Sequence, residues 1–365
     1  MHEFWSRLVD GFDSHAVSPL LSYFHLTQTF GDPRDVAEAL LIAFAQVLII
    51  GGIFRPLESF APAEKWTDRR HARIDRTYTL VMLFGLNPLF AYFFLTPLAH
   101  WLGDGGAAAD TGPSGLVAWI PWLQSHPYLT FGVYYVLFDF TYYWMHRMQH
   151  WMPWWWALHS MHHSQRQMSC WSNDRGSYVD GFLQSMVLAT VALFVGIEPD
   201  QFALLLFIGE LVQNFSHANV RFGFGRVFER VFVDPKFHRL HHMIVDEARP
   251  GLHNCNFGQV LSVWDVLFRT SLYGEPVRAT GVLDPMVDID NERGLVAMQW
   301  GAFRRFWGAV WSRAGWRPGD VAFGPDYVPY PSGHDKPHRG HAPAASFAAE
   351  PVAGTTTSAR ATAST

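Results

Sequence analysis

The chain has 365 residues, a formal net charge of −5 and only 16% charged residues, against about 25% in a typical soluble domain. Aromatic residues also reach 16%, so the composition favours a membrane protein over a soluble one. No basic run indicates a nucleic-acid partner, and the two cysteines, Cys170 and Cys255, form no CxxC pair that would suggest an iron–sulfur cluster.

Apolar stretches along the chain predict an all-α integral membrane protein with about four or five transmembrane helices. A bilayer-spanning helix needs about 20 mostly apolar residues. The first 15 residues lack the features of a secretory signal, so no removable signal peptide is expected. The Glu198-Pro199-Asp200 link predicts a tight hairpin between the last two stretches, the second of which is short enough to enter the bilayer without crossing it. The predicted stretches are 36–54, 78–98, 128–144, 179–197 and 202–215.

Basic residues in the loops predict the orientation of these spans. The loop between the first two spans carries Lys65 and several arginines, whereas residues 100–127 carry neither Lys nor Arg. Because cytoplasmic loops are enriched in Lys and Arg, the first loop is expected to be cytoplasmic. The same rule places His146 and His217 at cytoplasmic span ends.

The rest of the chain is expected to form a cytoplasmic helical cap over about 221–317, followed by a tail rich in Pro, Gly, Ala, Ser and Thr. The predicted division is N-terminal membrane helices over 1–127, a catalytic domain over 128–322 and a disordered tail over 323–365.

Histidine is the most informative residue type. Three motifs have helical spacing: HRMQH at 146–150, HSMHH at 159–163 and HRLHH at 238–242. Positions i, i+3 and i+4 share one face of an α-helix, so each motif presents two or three imidazoles in one direction. His217 and His253 stand nearby in sequence.

The number of histidines predicts a site for two metal ions. Imidazole suits Fe, Zn, Cu and Ni, and a single zinc takes only three or four protein ligands. Eight to ten imidazoles therefore suit two metals with four or five ligands each. An isolated histidine is usually a surface or hydrogen-bonded residue, which is the interpretation preferred for the other nine.

These motifs resemble the fatty acid hydroxylase/sterol desaturase superfamily. The resemblance covers about 131–270 and includes the Asn256-Phe257-Gly258 segment and the WDVLF motif at 264–268. It implies a di-iron centre that uses O2 to hydroxylate or desaturate a lipid. The ligands implied by position are His146, His150, His159, His162, His163, His217, His238, His241 and His242.

A tenth ligand is left open among His253, Gln213 and Asn214. Some relatives have a second histidine where Gln213 stands, and many have one where Ser177 stands, two residues after Arg175. His253 is taken as the tenth ligand in the predicted set.

Two carboxylates within apolar stretches, Asp139 and Glu210, each lie seven residues before a histidine. Carboxylates at membrane depth are costly unless paired. Together with Asn214 they are candidates to orient ligand imidazoles by hydrogen bonds. Pairing with a neighbouring Tyr or Trp is the alternative.

The expected function is O2-dependent hydroxylation, or desaturation, of a lipid such as a fatty acyl chain, a sterol-like molecule or an ether lipid. No haem, flavin or ferredoxin motif is recognised, so the electrons are expected from a separate donor protein: a ferredoxin, a cytochrome or a reductase. The location expected is a bacterial inner membrane with a cytoplasmic site. The alternative is a metal transporter or another metal-binding membrane protein without oxygenase activity, although transporters place their ligands near the bilayer midplane.

Overall fold

The computed structural model describes residues 2–27, 32–66, 70–95, 97, 115–244, 254–276, 278–282 and 284–311. Within these ranges the chain is helical, with two isolated bridges and no strand. This confirms the all-α prediction for the described part of the chain. The predicted tail over 323–365 lies outside it.

Fourteen α-helices are used to describe the fold. Turns of π-helix interrupt α3 at Ile50–Phe54 and α4 at Met82–Leu86. In chain order the helices are α1 (His2–Phe12), α2 (Ser18–Tyr23), α3 (Pro33–Phe60), α4 (Arg70–Phe94), α5 (Gly115–Trp119), α6 (Pro127–Trp151), α7 (Pro153–His163), α8 (Tyr178–Val195), α9 (Pro199–His217), α10 (Gly225–Phe228), α11 (Pro235–His241), α12 (Val263–Leu267), α13 (Pro285–Arg293) and α14 (Leu295–Trp311).

Three helices of the described ranges, α3, α4 and α8, are long and apolar enough to cross a membrane. They correspond to the stretches predicted at 36–54, 78–98 and 179–197. The stretches predicted at 128–144 and 202–215 fall within α6 and α9. Their crossing of the bilayer stays a prediction, as does the cytoplasmic cap.

A sharp corner between α6 and α7 brings two histidine motifs together. Met152 ends α6 in an extended conformation (φ −91°, ψ 119°), and Pro153 begins α7. Proline disfavours helical geometry in the residue before it, but it is well suited to the first turn of a new helix. The end of α6 and the whole of α7 therefore lie beside each other.

The predicted hairpin between α8 and α9 is present. Gly196 ends α8 in the left-handed conformation (φ 81°), which glycine adopts without steric cost. Pro199 then begins α9. Helix α9 ends at His217, which lies at the same end of the molecule as the histidine motif of α6.

The third motif lies on α11, a helix of seven residues. Asp234 caps it, since its side chain accepts a hydrogen bond from the Phe237 backbone N–H (2.8 Å). Pro235 occupies the first turn, and the helix ends beside His242. Local sequence therefore specifies the start of this short helix.

An aromatic and aliphatic core joins α6, α7, α8 and α9. Its buried centre includes Tyr134, Phe138, Trp155, Leu188 and Leu205. Burying a large apolar side chain contributes about 1.5–3 kcal/mol relative to exposure. This packing fixes the relative positions of four helices that carry histidines or their supporting residues.

Helices α13 and α14 pack together through a buried ion pair. Arg305 is 2% exposed, and its Nη1 lies 2.6 Å from Oδ2 of Asp290. We expect Asp290→Ala to destabilise the protein by about 3–5 kcal/mol, because it leaves a buried guanidinium without its counter-charge. Denaturation of the purified protein in detergent measures this loss.

The matched control for this prediction is Glu292→Ala. Glu292 pairs with Arg70 at 2.9 Å, but both side chains are about half exposed. Exposed pairs contribute at most about 1 kcal/mol. Equal losses from the two substitutions would contradict the importance assigned to the buried pair.

Candidate metal centre

The three predicted motifs lie at helix ends that meet one another. HRMQH lies in the last turns of α6, and HSMHH forms the last five residues of α7. HRLHH forms the end of α11, with His242 directly after the helix. His217 is the last residue of α9. The nine predicted ligand histidines that the structure describes separate into two groups.

The first group contains five buried histidines. Helices α6 and α7 each contribute an i,i+4 pair, and α11 contributes one residue. Their candidate ligand nitrogens all lie within 4.8 Å of one another: His146, His150, His159, His163 and His241.

The second group contains four histidines, His162, His217, His238 and His242. Their Nε2 atoms converge. The Nε2–Nε2 distances are 3.2 Å between His162 and His217, 3.1 Å between His217 and His238, and 3.1 Å between His238 and His242. All but the half-buried His162 are buried.

Helical spacing explains how the HxxHH motifs contribute to both groups. In each motif the i,i+4 pair stays together, and the i+3 histidine turns to the other group. Adjacent residues such as His162 and His163 therefore serve different groups. The groups are neighbours, since the rings of His163 and His242 stack with centroids 4.2 Å apart.

Backbone carbonyls indicate which nitrogens of the second group carry lone pairs. Nδ1 of His162 lies 3.0 Å from the Arg175 carbonyl oxygen, and Nδ1 of His217 lies 2.8 Å from that of Gln213. Because a carbonyl only accepts, each Nδ1 is assigned the proton and each Nε2 a lone pair. Burial lowers the pKa of His162 well below its usual value, which favours the neutral ring. Two lone pairs 3.2 Å apart repel unless a cation lies between them.

The first group is oriented in the same way. Nδ1 of His146 lies 2.8 Å from the Phe257 carbonyl oxygen, and that of His241 lies 2.7 Å from the Cys255 carbonyl oxygen. Within the described ranges, the buried Nε2 atoms of His146, His159 and His163 have no hydrogen-bond partner. Leaving such atoms unpaired is costly. A bound transition metal would satisfy them, so the donor set fits a metal.

The size of the two groups suits two metal ions. The nine imidazoles of the two groups together exceed the three or four protein ligands that one zinc takes. Burial lowers the pKa of His163, His238 and His242 well below the usual value, which favours the neutral form that binds metals. The geometry therefore agrees with the predicted dimetal site.

A buried carboxylate that sequence reasoning missed orients the first group. Asp180, near the start of α8, receives the Nδ1 proton of His159 on Oδ2 at 2.9 Å. Its Oδ1 accepts from Gln149 Nε2 and Trp155 Nε1, both at 2.8 Å. A carboxylate in this position fixes the tautomer and raises the basicity of a ligand imidazole. The available signal was an acidic residue at the start of an apolar stretch.

Arg175 supports the carbonyl that orients His162. The Arg175 side chain is fully buried, and its Nη1 lies 2.6 Å from Oδ1 of Asp75. Nη2 donates to Asn291 (2.9 Å) and Nε to Ser164 (3.2 Å). The loop that contains this carbonyl is therefore tied to α4, α7 and α13.

Within the described ranges, the hydrogen bonds of Asp139, Glu210 and Asn214 join groups other than histidine, and their orienting role stays a prediction. Asp139 accepts from the backbone N–H groups of residues 260 and 261 and from the Trp264 indole (2.9 Å), which matches the alternative of pairing with Trp. Glu210 accepts from Asn173 Nδ2 at 2.6 Å. Asn214 bonds to Gln46 and to the carbonyl oxygen of Cys170.

The tenth ligand is not identified. His253 lies outside the described residues. Gln213 uses Oε1 to accept from the Tyr142 hydroxyl at 3.2 Å. Ser177, which stands where many relatives have histidine, is buried, and its hydroxyl has no hydrogen-bond partner among the described residues.

A cavity of about 370 Å³ extends from the two groups between the apolar helices. His159 of the first group and His162 of the second are among its lining residues. Its walls come mainly from α3, α4, α8 and α9. Mostly apolar walls with a few polar groups are typical of small-molecule sites.

Comparison with known families gives a match at the histidine motifs. The fatty acid hydroxylase family model matches residues 131–270. Alkylglycerol monooxygenase of Xenopus tropicalis is 25% identical over 210 residues, which cover 55% of this chain and 46% of that protein. No solved structure gives a significant match.

Two further relatives have the same description. Alkylglycerol monooxygenase of Danio rerio is 26% identical over 210 residues, covering 55% of this chain and 46% of the relative. The human protein is 25% identical over 213 residues, which cover 54% of this chain and 45% of the human protein. The chain thus spans less than half the length of these relatives.

The fold and the site define a helical integral membrane protein with two adjacent polyhistidine groups. The match of residues 131–270 to the fatty acid hydroxylase family model and the similarity to alkylglycerol monooxygenases support the resemblance to the fatty acid hydroxylase/sterol desaturase superfamily.

Proposed function

We propose that this protein is a di-iron, O2-dependent monooxygenase that hydroxylates a membrane lipid. The observation that carries the proposal is the pair of polyhistidine groups, each of which contributes a histidine to the lining of a mostly apolar cavity. The names of the relatives favour an ether-linked glycerolipid within the lipid class.

The proposed ligands are the nine histidines of the two groups, with His253 kept as the candidate tenth. Two irons would supply the oxidation of an unactivated C–H bond, which acid–base side chains cannot achieve. The chain's own part is to hold neutral imidazoles, with Asp180 keeping the proton on Nδ1 of His159. The cavity orients the lipid chain and keeps water away from the reacting carbon.

Hydroxylation consumes one O2, two electrons and two protons, and it transfers one oxygen atom to the lipid and one to water. We propose that the electrons come from a separate ferredoxin, cytochrome or reductase. Loop charge supports a cytoplasmic site, where such donors are accessible. The membrane that we propose is a bacterial inner membrane.

Lipid analysis under 18O2 tests this function. Cells producing the full chain are expected to accumulate a lipid, or its cleavage product, with one labelled oxygen. His162→Ala should abolish the product, because this residue belongs to the second group. His126→Ala, at an exposed position, should retain it.

Three results would contradict the proposal. Loss of two hydrogens without added oxygen would indicate a desaturase. Metal uptake by cells without any lipid product would favour the transporter alternative. An unchanged product from His162→Ala would contradict the metal assignment.

A further inference from the structure

The cavity next to the histidines has both apolar and polar lining residues. Its apolar lining includes Ala39, Ile42, Leu83, Leu188, Leu206 and Phe207. Its polar lining includes Asn173, Asp174, Ser177 and Glu210. This lining suits a lipid whose hydrocarbon chain lies along the apolar residues and whose headgroup contacts the polar residues.

The charged residues that line the cavity are mostly acidic. Among the described lining residues, the carboxylates are Asp174, Asp180 and Glu210, and the only Lys or Arg is Arg175. The Arg175 guanidinium already bonds to Asp75, Asn291 and Ser164. It is therefore not available to neutralise an anionic headgroup.

Two of the three carboxylates are not engaged by histidine. Asp180 is occupied by His159, Gln149 and Trp155. Asp174 accepts from the Thr79 hydroxyl at 2.7 Å, and Glu210 accepts from Asn173 at 2.6 Å. Asp174 and Glu210 therefore add acceptor oxygens to a largely apolar cavity.

Ser177 is an independent indication of a ligand. It is 3% exposed and lines the same cavity, and its Oγ has no hydrogen-bond partner in the part of the chain that the structure describes. A buried unpaired hydroxyl is costly, so a polar ligand group that bonded to it would be favoured.

We propose that Asp174, Glu210 and Ser177 form a subsite for the uncharged, hydroxyl-bearing end of a lipid. A hydroxyl can donate to the carboxylates and accept from Ser177, so it suits both kinds of group. A phosphate or a fatty acid carboxylate would meet two acidic residues without a free cation. A quaternary ammonium could not hydrogen-bond to Ser177.

This subsite deepens the proposed function and rests on it, because it selects which membrane lipids enter. It favours a glycerol ether or another neutral lipid alcohol over a free fatty acid or a phospholipid. The selection occurs through binding, so it can be measured without turnover.

Native mass spectrometry of the purified, metal-loaded full chain tests the subsite with three probes. The probes are 1-O-hexadecylglycerol, hexadecanoate and hexadecyltrimethylammonium, which share a chain length and differ in head charge. We expect the glycerol ether to bind most tightly. Asp174→Asn and Glu210→Gln should each weaken its binding about tenfold or more, since each replaces a carboxyl oxygen acceptor with an amide N–H donor.

The matched control is Glu198→Gln, an exposed acidic residue in the turn before α9. It should bind all three probes as the natural chain does. Metal content checks that each variant is folded, and Ser177→Ala, which should also weaken the glycerol ether, gives a second measurement without altering charge.

The proposal is overturned if hexadecanoate or hexadecyltrimethylammonium binds as tightly as the glycerol ether. It is equally overturned if the acidic-residue variants bind the ether unchanged. Selective ether binding without any 18O-labelled product would retain the subsite and reject the oxygenase. If labelled product forms but Asp174→Asn and Glu210→Gln leave binding of the glycerol ether unchanged, the subsite is rejected and the oxygenase is retained.

Discussion

Replacing both His238 and His242 with alanine is expected to lower the metal content from two ions per chain to one and to abolish lipid oxidation. These two residues form the i,i+4 pair of the second group. Only His162 and His217 would remain there, fewer than the three protein ligands that catalytic zinc sites retain. The five histidines of the first group are unchanged.

Metal analysis of the purified variant, together with lipid product formation, measures this effect. The double substitution His15→Ala and His126→Ala is the control, because it removes two histidines from exposed positions. It should retain both metal ions. Two ions bound by the His238/His242 variant would mean that the second group is not a metal site.

Replacing Asp180 with asparagine is expected to weaken metal binding by the first group about 10–100-fold. Asparagine keeps the shape of the side chain but changes one oxygen into an N–H donor. If that donor faces Nδ1 of His159, the ring must move its proton to Nε2 and lose the lone pair that would bind metal. If the amide is reversed, it faces the Gln149 and Trp155 donors instead.

Asp139→Asn separates this effect from a general loss of stability. Asp139 is also buried and also accepts three hydrogen bonds, but they come from two backbone N–H groups and Trp264, and none comes from histidine. Both variants should lose stability, whereas only Asp180→Asn should lose metal affinity in an iron titration. Equal metal affinity in the two variants would contradict the orienting role of Asp180.

The histidine spacing was enough to predict that separate helices bring their imidazoles together. All nine histidines that the resemblance implied and that the structure describes lie in the two groups. The spacing did not predict how they divide. Spacing keeps each i,i+4 pair together, but which group a pair joins depends on how α6, α7 and α11 meet, which is a tertiary feature.

The orienting residues were harder to predict because sequence distance is a poor guide to side-chain reach. Asp139 and Glu210 share a helical stripe with a histidine, but seven residues correspond to about 10.5 Å along the helix axis. This is too far for a direct hydrogen bond. The actual partners of His146 and His159, the Phe257 carbonyl and Asp180, come from other parts of the chain.

The division of adjacent histidines has a consequence for assembly of the centre. A single peptide bond joins His162 to His163, and another joins His241 to His242, yet the members of each pair belong to different groups. Any shift of either helix end would disturb both coordination spheres at once. Occupying one sphere would restrain the backbone that shapes its neighbour, so the two ions would be linked mechanically through the protein as well as by their proximity.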